Sequence, residues 1–333
     1  MEKSIDIIIP AYKSQETIIK TLSSIAEQSI SDQCIVTIVN DADGIGYGDI
    51  VSTFSKILDI RELTLPINGG PGVARQVGID NTFLPYIMFA DSDDTFYNSF
   101  AFEMMLDCIN RYPKTAMVRA KHYLQTSNPL QFTLYHYNFT WVFAKIYRRE
   151  FLNKYNIRFP NSRSNEDVGF NQQIHFLAYS VEETPVDLNE IIYIWHDNPN
   201  SITRAETDFL LKDNIVGYID NMIYAIKRST HRPGVKNTHI LLKSSIKTMA
   251  DLYLYYEEIL SQRPEYAEVN FKACVKYYNE IYEVIELTQD SSFIDNLIIE
   301  EMAANKDKLT KFLPPHTFKE FMKNIREAAQ NED

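Results

Sequence analysis

Four short, largely apolar runs limit how this chain can fold. Ile5 to Ile9, Cys34 to Val39, Glu62 to Ile67 and Tyr86 to Ala90 alternate with segments of helical character. Those segments are Ile18, Leu22 and Ile25 at helical spacing, Tyr47 to Leu58, and Pro71 to Asn81, with Ser14 read as the cap of the first helix. Strands that are apolar on both faces need cover on both faces. The repetition predicts an α/β fold with a mostly parallel sheet and flanking helices.

From Thr115 to Tyr147 the pattern becomes strand-like and rich in Tyr, Phe and Trp. A helix follows at Arg149 to Tyr155, another begins near Asp167, and Ile191 to His196 reads as the last strand. Beyond Arg204 glycine nearly vanishes, and Ile246, Met249, Ala250, Tyr253, Tyr256 and Ile259 keep helical spacing. The expected organisation is an α/β domain over residues 1–205 and an all-helical domain over 206–333.

With 45% apolar and 13% aromatic residues, the 333-residue chain can build a packed core. A net charge of −12 argues against broad nucleic-acid binding, which needs a basic field. Three scattered cysteines form no metal-ligand spacing and suit a reduced interior. No apolar run reaches the ~18 residues of a membrane span. The expectation is a cytoplasmic protein, at most peripheral at the inner face of a membrane.

The fourth run empties into Asp91-Ser92-Asp93-Asp94, a D-x-D motif at a strand end. Ligand crevices of open α/β sheets lie at the carboxyl ends of their strands. Two carboxylates one residue apart can divide the work there, one holding a divalent cation and the other accepting from a sugar or phosphate-bearing ligand. The plainer reading is an acidic helix cap. Two other strand ends, Pro10-Ala11-Tyr12 and Asn40-Asp41-Ala42-Asp43, point to the same crevice. Between them, Asn68-Gly69-Gly70-Pro71-Gly72 leads into a helix with Arg75 one turn in, an arrangement suited to an anion.

The succession IIIPAYKSQETIIKTLSSIAEQ, VNDAD, NGGPGVARQVGID and YIMFADSDD resembles the nucleotide-binding half of family 2 glycosyltransferases of GT-A fold. WVFAKIYRREFLNKYNIRFP, NEDVGFN and YIWHDNPNSIT are similar to their acceptor half, so the resemblance covers roughly residues 3–203. It implies a Rossmann-like GT-A sheet and a metal-dependent, inverting transfer of sugar from a nucleotide-sugar, a UDP-sugar above all, to an acceptor hydroxyl. It further implies that Pro10, Ala11, Tyr12 and Asp41 line the base pocket, and that Asn68, Gly69 and Arg75 face the nucleotide. Asp91 and Ser92 would meet the ribose, Asp93 would bind Mn²⁺ or Mg²⁺ with Asp91 nearby, and His196 would reach the metal or the diphosphate. Asp167 would be the general base with Glu166 as second candidate, and Trp141 and Lys145 would shape the acceptor side. Asn40-Asp41-Ala42-Asp43 departs from the usual acidic pair, which weakens the ribose contact implied for Asp43.

Several plainer readings compete. Glu166-Asp167 also suits an acidic helix start. Asp91-Ser92-Asp93-Asp94-Thr95 fits the D-x-D-x-T signature of haloacid-dehalogenase-like phosphatases, although that strand normally opens the fold and here comes fourth. Lys227, Arg228, Arg232, Lys236, Lys243 and Lys247 cluster around Pro233-Gly234, either as a solvated face or as a patch for an anionic polymer or membrane surface. The acceptor implied is a surface glycan or related polymer, with a protein or a hydroxylated DNA base as further classes. The helical domain would serve oligomerisation or acceptor recruitment.

Overall fold

A computed structural model describes residues 2–162, 164–198, 214–230, 238–286 and 314–331. The chain divides into two compact units, Met1–Ser201 and Ile202–Asp333.

The first unit is built on a nine-stranded sheet in the order β3-β2-β1-β4-β8-β6-β9-β5, with β7 paired to β6. Strands β1 (Ile5–Ala11), β2 (Cys34–Asn40), β3 (Ile60–Thr64) and β4 (Tyr86–Phe89) run parallel, as their two-sided apolar sequences predict. Ile5, Ile7, Ile8, Ile9, Val36, Ile38 and Met88 are wholly enclosed. The third strand starts and ends earlier than its hydrophobicity suggests, since Ile67 is left exposed in the loop that follows.

The other half of the sheet is mixed rather than parallel. Strand β8 (Lys145–Arg148) runs antiparallel to β4, and β6 (Met117–Gln125) antiparallel to β8. The two reversals restore the direction of β4. Strand β9 (Val186–Trp195) then pairs parallel to β6, with a bulge near Lys121, and takes the two-residue strand β5 (Thr95–Phe96) on its free edge. The carboxyl ends of β1, β2, β4, β6 and β9 therefore share one edge of the sheet. The hairpin strand β7 (Phe132–Tyr135) pairs with β6.

Helices α1 (Ile18–Ala26), α2 (Gly48–Phe54), α3 (Pro71–Asp80), α4 (Ala101–Arg111), α5 (Arg149–Lys154) and α6 (Glu166–Ser180) flank the sheet. Ser14 is not the cap of α1. Thr17 holds that position without a side-chain cap, and the Ser14 hydroxyl instead bonds the Tyr47 hydroxyl at 2.9 Å. Helix α3 packs so closely on β1 that a Cβ on Gly78 would lie 2.4 Å from Ile8 Cγ2. The one polar residue of β1, Asp6, is enclosed with Arg149, whose guanidinium also bonds Thr82 Oγ1 and the Leu84 and Ile79 carbonyls.

In the second unit lie α7 (Asn214–Thr230), α8 (Thr238–Gln262), α9 (Ala267–Glu286) and α10 (Phe318–Gln330). Met249, Leu252, Tyr253, Tyr277 and Phe321 are among its core residues, so the tyrosine run in α8 begins as packing. Of the basic cluster, Lys227 pairs with Glu280, Arg228 lies 5.3 Å from the Tyr224 ring, and Lys243 and Lys247 are exposed. Arg232, Lys236 and Pro233-Gly234 lie outside the described residues. Among the described residues no helix is long and apolar enough to cross a membrane.

Candidate active site

The parallel register fixes where the functional side chains emerge. Ala11 pairs with Asn40 and Ile8 with Phe89, so Tyr12 and Asp41 leave the sheet level with each other, while Asp91 emerges level with Pro10, two residues earlier at the same edge. Pro10 and Ala11 are buried and Tyr12 is half exposed, with Lys13 Nζ 5.1 Å from its ring centroid.

Asp41 is buried and organises the turn opposite it. Its two carboxylate oxygens accept the Gly69 N–H at 2.7 Å and the Gly70 N–H at 2.8 Å, and its carbonyl accepts from Asn68 Nδ2 at 3.1 Å. Gly70 sits at φ +85°, a conformation open to glycine, and Pro71 starts α3 directly after it. A carboxylate offers about four lone-pair sites, so Asp41 can hold this turn and still accept from a ligand.

Asp43 is different. Its Oδ1 accepts the Ile45 and Gly46 N–H groups, and its Oδ2 accepts the Lys13 N–H and the Gln15 side-chain amide. Burial alone would raise its pKa, but the four donors outweigh burial and hold the carboxyl well below the usual range. With every acceptor position taken, it ties the loop together and has none left for a ribose.

The acidic tip is knotted to β9 by a residue that the sequence reading passed over. Asp94 is fully enclosed, accepting from the Tyr193 hydroxyl at 3.0 Å and the His196 N–H at 2.8 Å. The same Tyr193 oxygen accepts the Asp91 N–H at 3.0 Å. Burial, then Asp91 and Asp93, push the Asp94 pKa well above the ordinary carboxylate range. Ser92 is partly buried beside it. Asp93 accepts from Asn198 Nδ2 at 2.7 Å, and burial raises its pKa.

Arg75 points into the protein rather than towards solvent. Its guanidinium bonds Asp91 Oδ1 at 2.6 Å and Glu166 Oε1 at 2.7 Å, and its Nε is enclosed without a partner. Burial disfavours the charge, but Asp91 and Glu166 more than restore it and its pKa is raised. The bridge links the tip of β4 to the first turn of α6. Gly72 makes the approach feasible, since a Cβ there would fall 2.7 Å from Glu166 Cγ and 3.3 Å from the Pro160 carbonyl.

Asp167 follows Glu166 in that first turn. Burial raises its pKa, the Glu166 charge raises it further, Arg75 opposes both, and the carboxyl stands at about 7. The acidic helix start anticipated from sequence is present, with both residues in the first turn of α6. Phe170, one turn below, packs against Phe89 at 6.0 Å and Phe159 at 4.1 Å, fixing α6 to the strand that carries Asp91.

His196 and Lys145 are each held by neighbouring segments. His196 Nε2 lies 2.8 Å from Thr95 Oγ1 and Nδ1 3.1 Å from Gln125 Oε1. The Gln125 oxygen only accepts, so Nδ1 carries the proton and Nε2 takes the Thr95 hydroxyl. Burial and Lys20 lower its pKa to about 4. As placed, it is a neutral strut with both nitrogens occupied. Lys145 is 2% exposed and donates to the Trp141 and Phe143 carbonyls and to Asn138 Oδ1, so it lies beneath the Trp141 loop. Burial, with Arg119 adding repulsion, lowers its pKa to about 7. Trp141 itself is partly exposed in a cluster with Tyr135, His122, Phe143 and Trp195.

A divalent cation can be judged from this donor set. Among the described residues no group of three or more His, Cys, Asp or Glu side chains could cage a metal. Asp91 is partly spent on Arg75 and His196 is saturated, which leaves Asp93. Magnesium-like ions in phosphate sites commonly take one or two carboxylates and complete their shell with substrate oxygens and water. The residues fit a cation that arrives with a diphosphate, and do not fit a site built from protein alone.

The comparisons with known proteins agree with this architecture. Residues 6–166 match the profile of Glycosyl transferase family 2. EpsJ, an uncharacterized glycosyltransferase of Bacillus subtilis, is 28% identical over 223 residues, 60% of this chain and 63% of EpsJ. TarS, a poly(ribitol-phosphate) β-N-acetylglucosaminyltransferase of Staphylococcus aureus, is 31% identical over 90 residues, 26% of this chain and 16% of TarS. The crystal structure of TarS 1-349 in complex with UDP-GlcNAc aligns with a TM-score of 0.66 over 92% of this chain and 89% of that one, at 16% identity. The mannosyltransferase PcManGT of Pyrobaculum calidifontis, solved with GDP-Man and Mn²⁺, gives 0.52 over 99% and 88%, at 12% identity. The chain spans less than two thirds of the length of both curated relatives. The profile match and the shared fold set aside a dehalogenase-like phosphatase. Over residues 6–166, beginning in its first parallel strand, the chain carries a glycosyltransferase family 2 domain with a GT-A fold.

Proposed function

We propose that the protein transfers a sugar from a UDP-sugar to a hydroxyl of a cell-surface polymer, with inversion and with a divalent cation. The observation that carries this reading is the meeting of the β4 acidic tip and the α6 carboxylate across Arg75. In this reading it holds a diphosphate-side acid and a base-side acid at fixed separation. TarS, bound to UDP-GlcNAc in the same fold, supports a uridine donor, and its activity on poly(ribitol phosphate) supports a polyol-phosphate acceptor.

In this mechanism Asp41, Pro10, Ala11 and Tyr12 receive the base, with Asn68 and Gly69 shaping the turn beside it. Asp91 and Ser92 face the ribose. Asp43 acts only by holding the loop, Arg75 by fixing Asp91 and Glu166, and His196 by bracing β9 against Thr95. Asp93 would hold the cation, whose chemistry is to neutralise charge developing on the departing diphosphate. Asp167 takes the proton of the attacking hydroxyl, and a pKa near neutrality suits that task. Direct in-line attack assisted by one base inverts the anomeric centre, by the geometric logic of inverting glycosidases. The residues after 205 are assigned to acceptor recruitment or self-association.

The test is a thermal-shift screen of nucleotide-sugars with and without Mn²⁺, followed by transfer assays on poly(ribitol phosphate) and poly(glycerol phosphate). UDP-sugars should raise the melting temperature by mass action, more so with the metal. Stabilisation by no nucleotide-sugar would overturn the reading.

A further inference from the structure

Asn171 is fully buried on α6, four residues after Asp167 and therefore on the same face of that helix. Its Nδ2 donates to the Thr140 and Trp141 carbonyls, both at 3.0 Å, and its Oδ1 accepts from the Tyr147 hydroxyl at 2.9 Å. The Trp141 carbonyl is also bonded by Lys145 Nζ, which reaches it from the first residue of β8. Asn138 closes the loop: its Oδ1 accepts the Thr140 N–H at 3.0 Å, the Trp141 N–H at 3.1 Å and Lys145 Nζ at 3.4 Å. Both backbone polar groups of Trp141 are thus fixed by side chains, while its indole stays partly exposed 5.4 Å from Trp195.

A buried ammonium is costly to keep. Lys145 accepts that cost where its three acceptors all belong to one loop. Removing any single tie would leave carbonyls unpaired in a desolvated position and free the loop to shift.

We propose that Asn171, Lys145 and Asn138 are positioning residues that hold the Trp141 indole at a set offset from the Asp167 carboxylate. A sugar or polyol unit of the acceptor, stacked on the indole through its C–H face, then presents a hydroxyl to the base. This rests on the glycosyltransferase reading above. Alignment of that kind is where a displacement of about 1 Å can cost on the order of a hundredfold in rate.

The chain has two tryptophans, so Trp195→Phe leaves Trp141 as the sole indole reporter. In that background Asn171→Ala should increase acrylamide quenching at least about twofold. Using UDP-GlcNAc and poly(ribitol phosphate), Asn171→Ala and the volume-keeping Lys145→Met should each lower kcat/KM for the polymer about tenfold or more. The KM for UDP-GlcNAc should be unchanged. Adding Asn171→Ala to Trp141→Ala should cost nothing further, which a merely structural role would not give. If Asn171→Ala does not fold, Lys145→Met carries the same comparison. Unchanged quenching, equal damage to donor and polymer parameters, or additive losses in the double variant would each overturn the proposal while leaving the glycosyltransferase reading standing. Wild-type protein that binds no nucleotide-sugar would overturn both.

Discussion

Asp167→Asn is the most direct test of how the site works. The substitution keeps the size of the side chain and removes its capacity to take a proton. General-base assistance contributes on the order of 10²–10⁴-fold, and a loss of that size is expected in kcat at the pH optimum. The wild-type pH profile supplies an independent measure. Burial and the Glu166 charge raise the Asp167 pKa to about 7, and the base works only when ionised. Its ionised fraction is about 1% at pH 5, half at pH 7 and roughly nine-tenths at pH 8. Activity should therefore climb about tenfold per pH unit below neutrality and level off above it. In Asp167→Asn the residual rate should lose this slope, while UDP binding measured by calorimetry should be retained. A wild-type profile flat from pH 5 to 8, or a variant within about threefold of wild type, would refute the assignment and move the base to Glu166.

Four further outcomes follow from the geometry. Arg75→Met removes the cation that opposes the rise in the Asp167 pKa, so the acid limb of any residual activity should move to higher pH; a limb that stays or moves down would contradict the bridge. Asp93→Ala should abolish the stimulation of turnover by Mn²⁺ and weaken UDP binding in its presence, and a variant that still responds to the metal would place the cation elsewhere. Gly72→Ala puts a methyl 2.7 Å from Glu166 Cγ, and should cost about 1–3 kcal/mol in urea unfolding together with most of the activity. Asp6→Ala strands the Arg149 guanidinium in the core and should destabilise the first unit by about 3–5 kcal/mol; a loss below about 1 kcal/mol would mean the pair is dispensable.

What the sequence disclosed and what it hid divide along a physical line. Parallel strands buried on both faces announce themselves because hydrophobicity is local, and so β1 to β4 and the acidic tip could be placed in advance. Antiparallel insertion of β8 between β4 and β6 depends on pairings across 26 residues or more, which no local pattern encodes. Side-chain roles follow the same rule. Asp41, Asp91 and Asp167 stand at element ends that periodicity locates. Asp43 and His196 stand there too, but their occupation by Lys13, Gln15, Thr95 and Gln125 is visible only once distant segments meet. Asp6 interrupts an apolar run and so signals a buried partner, yet nothing local names Arg149, 143 residues away. Asp94, Tyr193 and Asn171 could have been found only as polar residues at positions whose neighbours are core.

The charge balance of the crevice ties these roles together. Five carboxylates, Asp91, Asp93, Asp94, Glu166 and Asp167, gather near one guanidinium. Arg75 pairs with both Asp91 and Glu166, and Asp94 is enclosed and bonded by the Tyr193 hydroxyl and the His196 N–H. Among the described residues, Asp93 and Asp167 are left without an ion-pair partner, although both are largely withdrawn from water. A carboxylate in that position is poised to gain either a cation or a proton. The two left without an ion-pair partner are the two to which the proposed mechanism gives those needs: Asp93 the metal that would accompany the diphosphate, and Asp167 the proton of the acceptor hydroxyl. Arg75 lies between them and opposes the rise of the second while pinning the neighbour of the first. On the proposed mechanism, one guanidinium is therefore sufficient to keep a donor-side and an acceptor-side carboxylate apart in function, although both sit in the same acidic crevice.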